Sequence, residues 1–126
     1  MTGGLTKGVR SLASDYGPDA GDLIWTEFDP RVGREQGGRH PALVLSPRPF
    51  WEVSRLAFVC PITSRIRGWS SSLILPAGLM VSGEVLISHM RSIDTLARPI
   101  VHAGAVPFSV LEEARARLAT LLGIEP

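Results

Sequence analysis

GDLIWTEFDPRVGREQGGRHPALVLS, residues 21–46, sets two short apolar runs around a long polar loop. The runs are Leu23-Ile24-Trp25 and Ala42-Leu43-Val44-Leu45. They are too short for helices and read as β-strands. The loop between them carries Glu35, Gln36, Gly37, Gly38, Arg39 and His40 in one block. It is long for a hairpin, and long loops in compact domains usually carry function. A carboxylate, an amide, a guanidinium and an imidazole at a strand edge can handle protons and a phosphate together.

Outward from this pair, the spacing predicts strands near Asp22–Glu27, Pro41–Ser46, Leu56–Pro61, Ser72–Leu75, Gly83–Ser88 and Pro99–Ala103. Turn residues separate them: Ser46-Pro47-Arg48-Pro49, Gly68, Pro76-Ala77-Gly78 and Ser82-Gly83. Short strands with this Gly/Pro punctuation predict a mainly β fold, a small barrel or sandwich. One helix follows. Ser109 and Glu112 have capping-box spacing, and Leu111, Ala114, Leu118 and Leu121/Leu122 mark one helical face. Gly123 stands where a left-handed cap belongs.

The chain of 126 residues is one domain's worth, with room for a single modest core. No run approaches the ~20 apolar residues of a membrane-spanning helix. Residues 1–20 lack apolar periodicity and a signal-peptide core, so they are expected to be a flexible leader before a domain at 21–126. A cytoplasmic location, with no membrane contact, is the corresponding expectation. Cys60 is the only cysteine and lies in an apolar run, which suits a buried thiol and excludes an intrachain disulfide. No Cys/His cluster has zinc spacing, and no cofactor is expected.

A net charge of +1 hides an asymmetry. Arg31, Arg34, Arg39, Arg48, Arg55, Arg65 and Arg67 face only Glu35 and Glu52 within that window. Arginine offers a planar fork that pairs with phosphate at two points, so a polyanionic partner fits. Surface arginine without a partner fits the same count. Trp51 and Trp69 suit loop packing, or base stacking where exposed. His102, in an expected strand, suits a structural role.

Three motifs carry a resemblance when taken in order. Gly21-Asp22-Leu23-Ile24-Trp25, Phe28-Asp29-Pro30, Gly33-Arg34-Glu35-Gln36-Gly37-Gly38 and Pro41 to Ser46 form the first. Val59-Cys60-Pro61-Ile62-Thr63-Ser64 is the second and Arg91-Ser92-Ile93-Asp94 the third. Together they resemble the MazF/PemK toxin family. The resemblance implies a small SH3-like barrel of five to seven strands with a C-terminal helix, working as a homodimer. It implies metal-independent cleavage of single-stranded mRNA, leaving 2′,3′-cyclic phosphate and 5′-hydroxyl ends. It also implies a cognate antitoxin with a flexible acidic segment.

Residue by residue, the resemblance points to Arg39, His40, Thr63 and Glu35 as catalytic. It points to Arg34, Gln36, Ser64, Arg65, Arg67, His89 and Arg91 as RNA-binding. One departure stands out. The family's arginine directly before the proline is His40 here, with Arg39 one position earlier. A one-residue shift along a strand turns a side chain to the other face, so Arg39, His40 or both could serve. The aspartate that PemK-like members place before the third motif is Ser88 here, followed by His89. Two other readings share the fold: a CcdB-like gyrase poison, resembled only at Gly123-Ile124, and an inactive SH3-like binding module.

Overall fold

A computed structural model describes residues 16–28 and 39–124. The elements in order are β1 (Asp22–Glu27), β2 (Arg39–Val44), α1 (Arg48–Ser54), β3 (Leu56–Thr63), β4 (Leu73–Ile74) and β5 (Glu84–Val85). A 3-10 turn (Ile87–His89), β6 (Arg91–Asp94), β7 (Ile100–Ala105) and α2 (Phe108–Leu122) complete the chain. The strands form one antiparallel sheet of seven in the order β4-β5-β3-β2-β1-β7, with β6 also paired to β3. The mainly β fold with a C-terminal helix is the one the sequence predicts.

Strand β3 is the hub. One edge pairs with β2, while the other meets β6 along Leu56–Val59 and β5 at Ile62–Thr63. Pro61 falls where that second partner changes, a place where a missing N–H does least harm to the ladder. Alternation along β1, β2 and β3 feeds two apolar faces. Leu23, Leu43, Cys60 and Ile62 pack with Leu111 and Ala114 of α2. Ile24, Ala42, Val44, Ala57, Val59 and Ile93 form the core of the other face. Burial pushes the Cys60 thiol up to about 12, as a structural cysteine requires.

Four details differ from the sequence expectations. First, the Pro47-Arg48-Pro49 turn opens the short helix α1, because proline is tolerated in a first helical turn. Second, Arg91–Asp94 is a strand, too short and too charged to show in the pattern. Third, α2 begins at Phe108 after Pro107, with no side-chain cap, so Ser109 and Glu112 form no capping box. Proline supplies the N-terminal stop here by its fixed φ. Fourth, the apolar stripe of α2 is covered only in its first half: Leu121 and Leu122 are exposed, while Gly123 takes the left-handed cap (φ 75°).

Residues 16–20, expected to belong to the leader, are in contact with the domain. The Tyr16 hydroxyl donates to Asp22 Oδ2 at 2.5 Å, Arg48 Nε donates to the Gly17 carbonyl at 3.0 Å, and the Arg48 N–H donates to Asp19 Oδ1 at 2.8 Å. Residues 16–20 are thus tied to the sheet and α1. Residues 1–15 lie outside the described residues.

Candidate functional site

Register brings the first two site residues together. Leu43 lies opposite Cys60, and Ala42 opposite Pro61. His40 and Thr63 each lie two residues past the Ala42–Pro61 pair, at the same end of the two strands. Directly opposed residues share a face, and so do the residues two along from them on each strand. His40, Ala42 and Val44 share one face of β2; Arg39 alternates onto the other. His40 is exposed and Thr63 half-buried. On its far side His40 pairs with Thr26 of β1.

Thr63 closes β3. Its Oγ1 accepts the Arg65 N–H at 3.1 Å, which leaves its own O–H free to donate. Ser64, Arg65 and Arg67 follow, all exposed. The Arg67 guanidinium lies 5.2 Å from the centre of the Trp69 ring, and His89 on the 3-10 turn lies 5.7 Å from it. His40, Thr63, the 64–72 loop and His89 therefore belong to one region, around the end of β3.

Arg91 is engaged elsewhere. It sits 5.1 Å over the Phe28 ring and donates to the Phe28 carbonyl at 3.3 Å. Arg98 donates to the Glu27 carbonyl at 2.8 Å and also to that of Phe28. Two arginines thus brace the chain where β1 ends. The expected roles of Arg34, Glu35 and Gln36 lie outside the described residues. Among the described residues, no three His, Cys, Asp or Glu side chains gather as a metal site would need.

The sequence missed Glu84. It is fully buried at the start of β5, opposite Thr63, and accepts hydrogen bonds from the loop that follows Thr63. The one available signal was a carboxylate inside the run Gly83-Glu84-Val85-Leu86-Ile87. The Arg67 N–H above all, then the Ser72 hydroxyl, hold its carboxyl below the usual range against the opposing effect of burial. Arg115 and Arg117, which fall outside the apolar stripe of α2, also have structural work. Arg115 donates to the Leu45 carbonyl at 2.9 Å, and Arg117 to the Ser70 carbonyl at 3.3 Å and to that of Ser72.

Residues 19–122 match the PemK-like, MazF-like toxin family of type II toxin–antitoxin systems. The chain belongs to that family. Among its relatives, the endoribonuclease toxin MazF of Escherichia coli K12 is 35% identical over 112 residues, covering 89% of this chain and all of that one. MazF of Deinococcus radiodurans superposes with a TM-score of 0.78 at 49% identity, over 87% of this chain and all of that structure. The MazE–MazF structure from the same organism gives 0.78 at 45% identity, over 88% of this chain and all of that one.

Proposed function

We propose that this PemK/MazF-family toxin is an endoribonuclease acting on single-stranded mRNA, with His40 and Thr63 at the scissile phosphate. The observation that supports this reading is that His40 and Thr63 each lie two residues past the Ala42–Pro61 pair, with the Thr63 Oγ1 already accepting from the Arg65 N–H. The 2′-oxygen attacks phosphorus and the 5′-oxygen leaves. His40 takes or returns a proton, a task suited to a side chain whose unperturbed pKa is about 6.5. Thr63 donates to a non-bridging oxygen as charge builds there. Glu35 is the second titrating group by family resemblance. Arg65 and Arg67 supply fixed positive charge beside Thr63, a role that the alternation of β2 makes less accessible to Arg39. Arg34, Gln36, Ser64 and His89 contact RNA in this reading, while Arg91 chiefly holds Phe28.

The products are a 2′,3′-cyclic phosphate and a 5′-hydroxyl, and no metal takes part. Cleavage of a defined RNA in EDTA, with both ends mapped, tests this. A 2′-deoxy nucleotide at the cut site should abolish cleavage because the nucleophile is gone. A 5′-phosphate end would overturn the mechanism.

The toxin works as a homodimer in the cytoplasm, where mRNA is. Phe108 and Ile124, both exposed, border an open groove of about 420 Å³ on α2, a surface suited to another chain. A MazE-type antitoxin with an acidic segment would compete with RNA for the arginines, so both should bind more weakly as salt rises.

A further inference from the structure

Glu84 and Trp69, the latter on the loop 64–72, have no part in the reaction above. The sequence between β3 and β4 is Ser64-Arg65-Ile66-Arg67-Gly68-Trp69-Ser70-Ser71-Ser72. A polar segment of this length has backbone groups to satisfy and little apolar surface to hold it. Glu84 supplies the acceptors from beneath. Its Oε1 takes the Arg67 N–H at 2.6 Å, and its Oε2 takes the Gly68 N–H at 3.0 Å and the Ser72 hydroxyl at 2.5 Å. Arg117 supplies donors from the helix side, to the Ser70 and Ser72 carbonyls. An anion thus gathers the loop's N–H groups, and a cation its carbonyls.

The loop so held presents an indole. Trp69 is 39% exposed, with Arg67 5.2 Å from the centre of its ring and His89 5.7 Å away. An exposed aromatic ring beside a guanidinium is how proteins take an unstacked base next to its phosphate. A fully buried carboxylate is also a costly way to hold a surface loop unless the loop's shape matters.

We propose that Trp69 is a stacking site for one unpaired nucleobase of the RNA, with Arg67 on the adjoining phosphate. Glu84 is the positioning residue that sets this platform beside Thr63. The inference rests on the ribonuclease reading and adds to it the site that holds the base.

Two measurements test it. The first is steady-state kcat and KM on the mapped RNA. The second is Kd from the fluorescence anisotropy of the same RNA, dye-labelled at its end and carrying a 2′-deoxy at the cut site, with tryptophan fluorescence followed in a parallel titration of unlabelled RNA. Trp69→Ala should raise Kd and KM about tenfold while kcat stays within about twofold, since stacking is an appreciable but local contact. Trp69→Phe should keep Kd within about threefold and lose the RNA-dependent quench. Glu84→Gln puts an amide donor among N–H donors, and should raise KM several-fold with kcat nearly unchanged. Should Glu84→Gln fail to fold, Ser72→Ala removes one tie to the carboxylate and should shift KM the same way. An unchanged Kd in Trp69→Ala overturns the stacking site. A fall in kcat at constant KM in Glu84→Gln or Ser72→Ala overturns the positioning role. If no RNA is cleaved, the ribonuclease reading fails, and titration with mixed-sequence single-stranded RNA still decides whether Trp69 stacks.

Discussion

Gly83 passes so close to Thr63 that a Cβ placed on it would lie 2.3 Å from the Thr63 carbonyl oxygen. Its φ of 135° is also one that side chains avoid. Only glycine lets the entry to β5 close on the end of β3. Gly83→Ala is therefore expected to lose about 1–3 kcal/mol through strain. It should also slow RNA cleavage, because the Thr63 backbone is what must move. Thermal melts and single-turnover cleavage check both; an unchanged melting temperature would show that the turn has room.

The His40–Thr63 pair makes a sharper chemical prediction. Thr63→Val keeps the shape and removes the donor, and should slow cleavage about 10²–10³-fold. Thr63→Ser should retain most of the rate. His40→Ala should cost about 10²–10⁴-fold and remove one limb of the pH–rate profile. His40→Arg restores the family's residue and should stay active with a flatter profile, because arginine does not titrate near neutrality. Full rate and an unchanged profile in His40→Ala would make it a loop residue.

How far these features could be read in advance depended on whether they were local. Strand β1 was legible to the residue, because Leu23 and Ile24 lie between turn residues and a polar loop. Thr63 and His40 were legible as candidates, yet only the pairing of β2 with β3 brings them to the same strand end, and register is a long-range property. Pro47-Arg48-Pro49 gave the same local signal for a turn as for a helix start. Glu84 was illegible in role, because the N–H groups that justify its burial lie 16 and 17 residues earlier. Leu121 and Leu122 followed the helical period, but both are exposed, and whether a helical stripe is covered depends on tertiary packing that the period does not carry.

The ordered start of the domain can be set by truncation. Removal of residues 1–15 should leave the melting temperature nearly unchanged. Removal of residues 1–20 should lower it by several degrees, since it takes away the Tyr16–Asp22 bond and both ties to Arg48. Tyr16→Phe should reproduce part of that loss. Equal melting temperatures for the two truncations would show that these contacts contribute little.

Acid should loosen the 64–72 loop through Glu84. Its folded pKa is lowered, chiefly by the Arg67 N–H and then by the Ser72 hydroxyl. A carboxyl bound less tightly by protons when folded contributes stability that is fully present above its unfolded pKa, about 4.3. That contribution is lost as pH falls from there through the lower folded value. Protonation turns one acceptor oxygen into a donor facing N–H groups, so the loop's ties weaken in that window. Glu84→Gln carries no such proton. Melting temperatures of wild type and Glu84→Gln should therefore differ most near neutral pH and converge as pH falls below about 4. Quenching of Trp69 by a neutral quencher such as acrylamide should rise for wild type over the same window and stay level for Glu84→Gln. Parallel pH curves for the two proteins would mean that Glu84 holds the loop by shape alone, with its charge irrelevant.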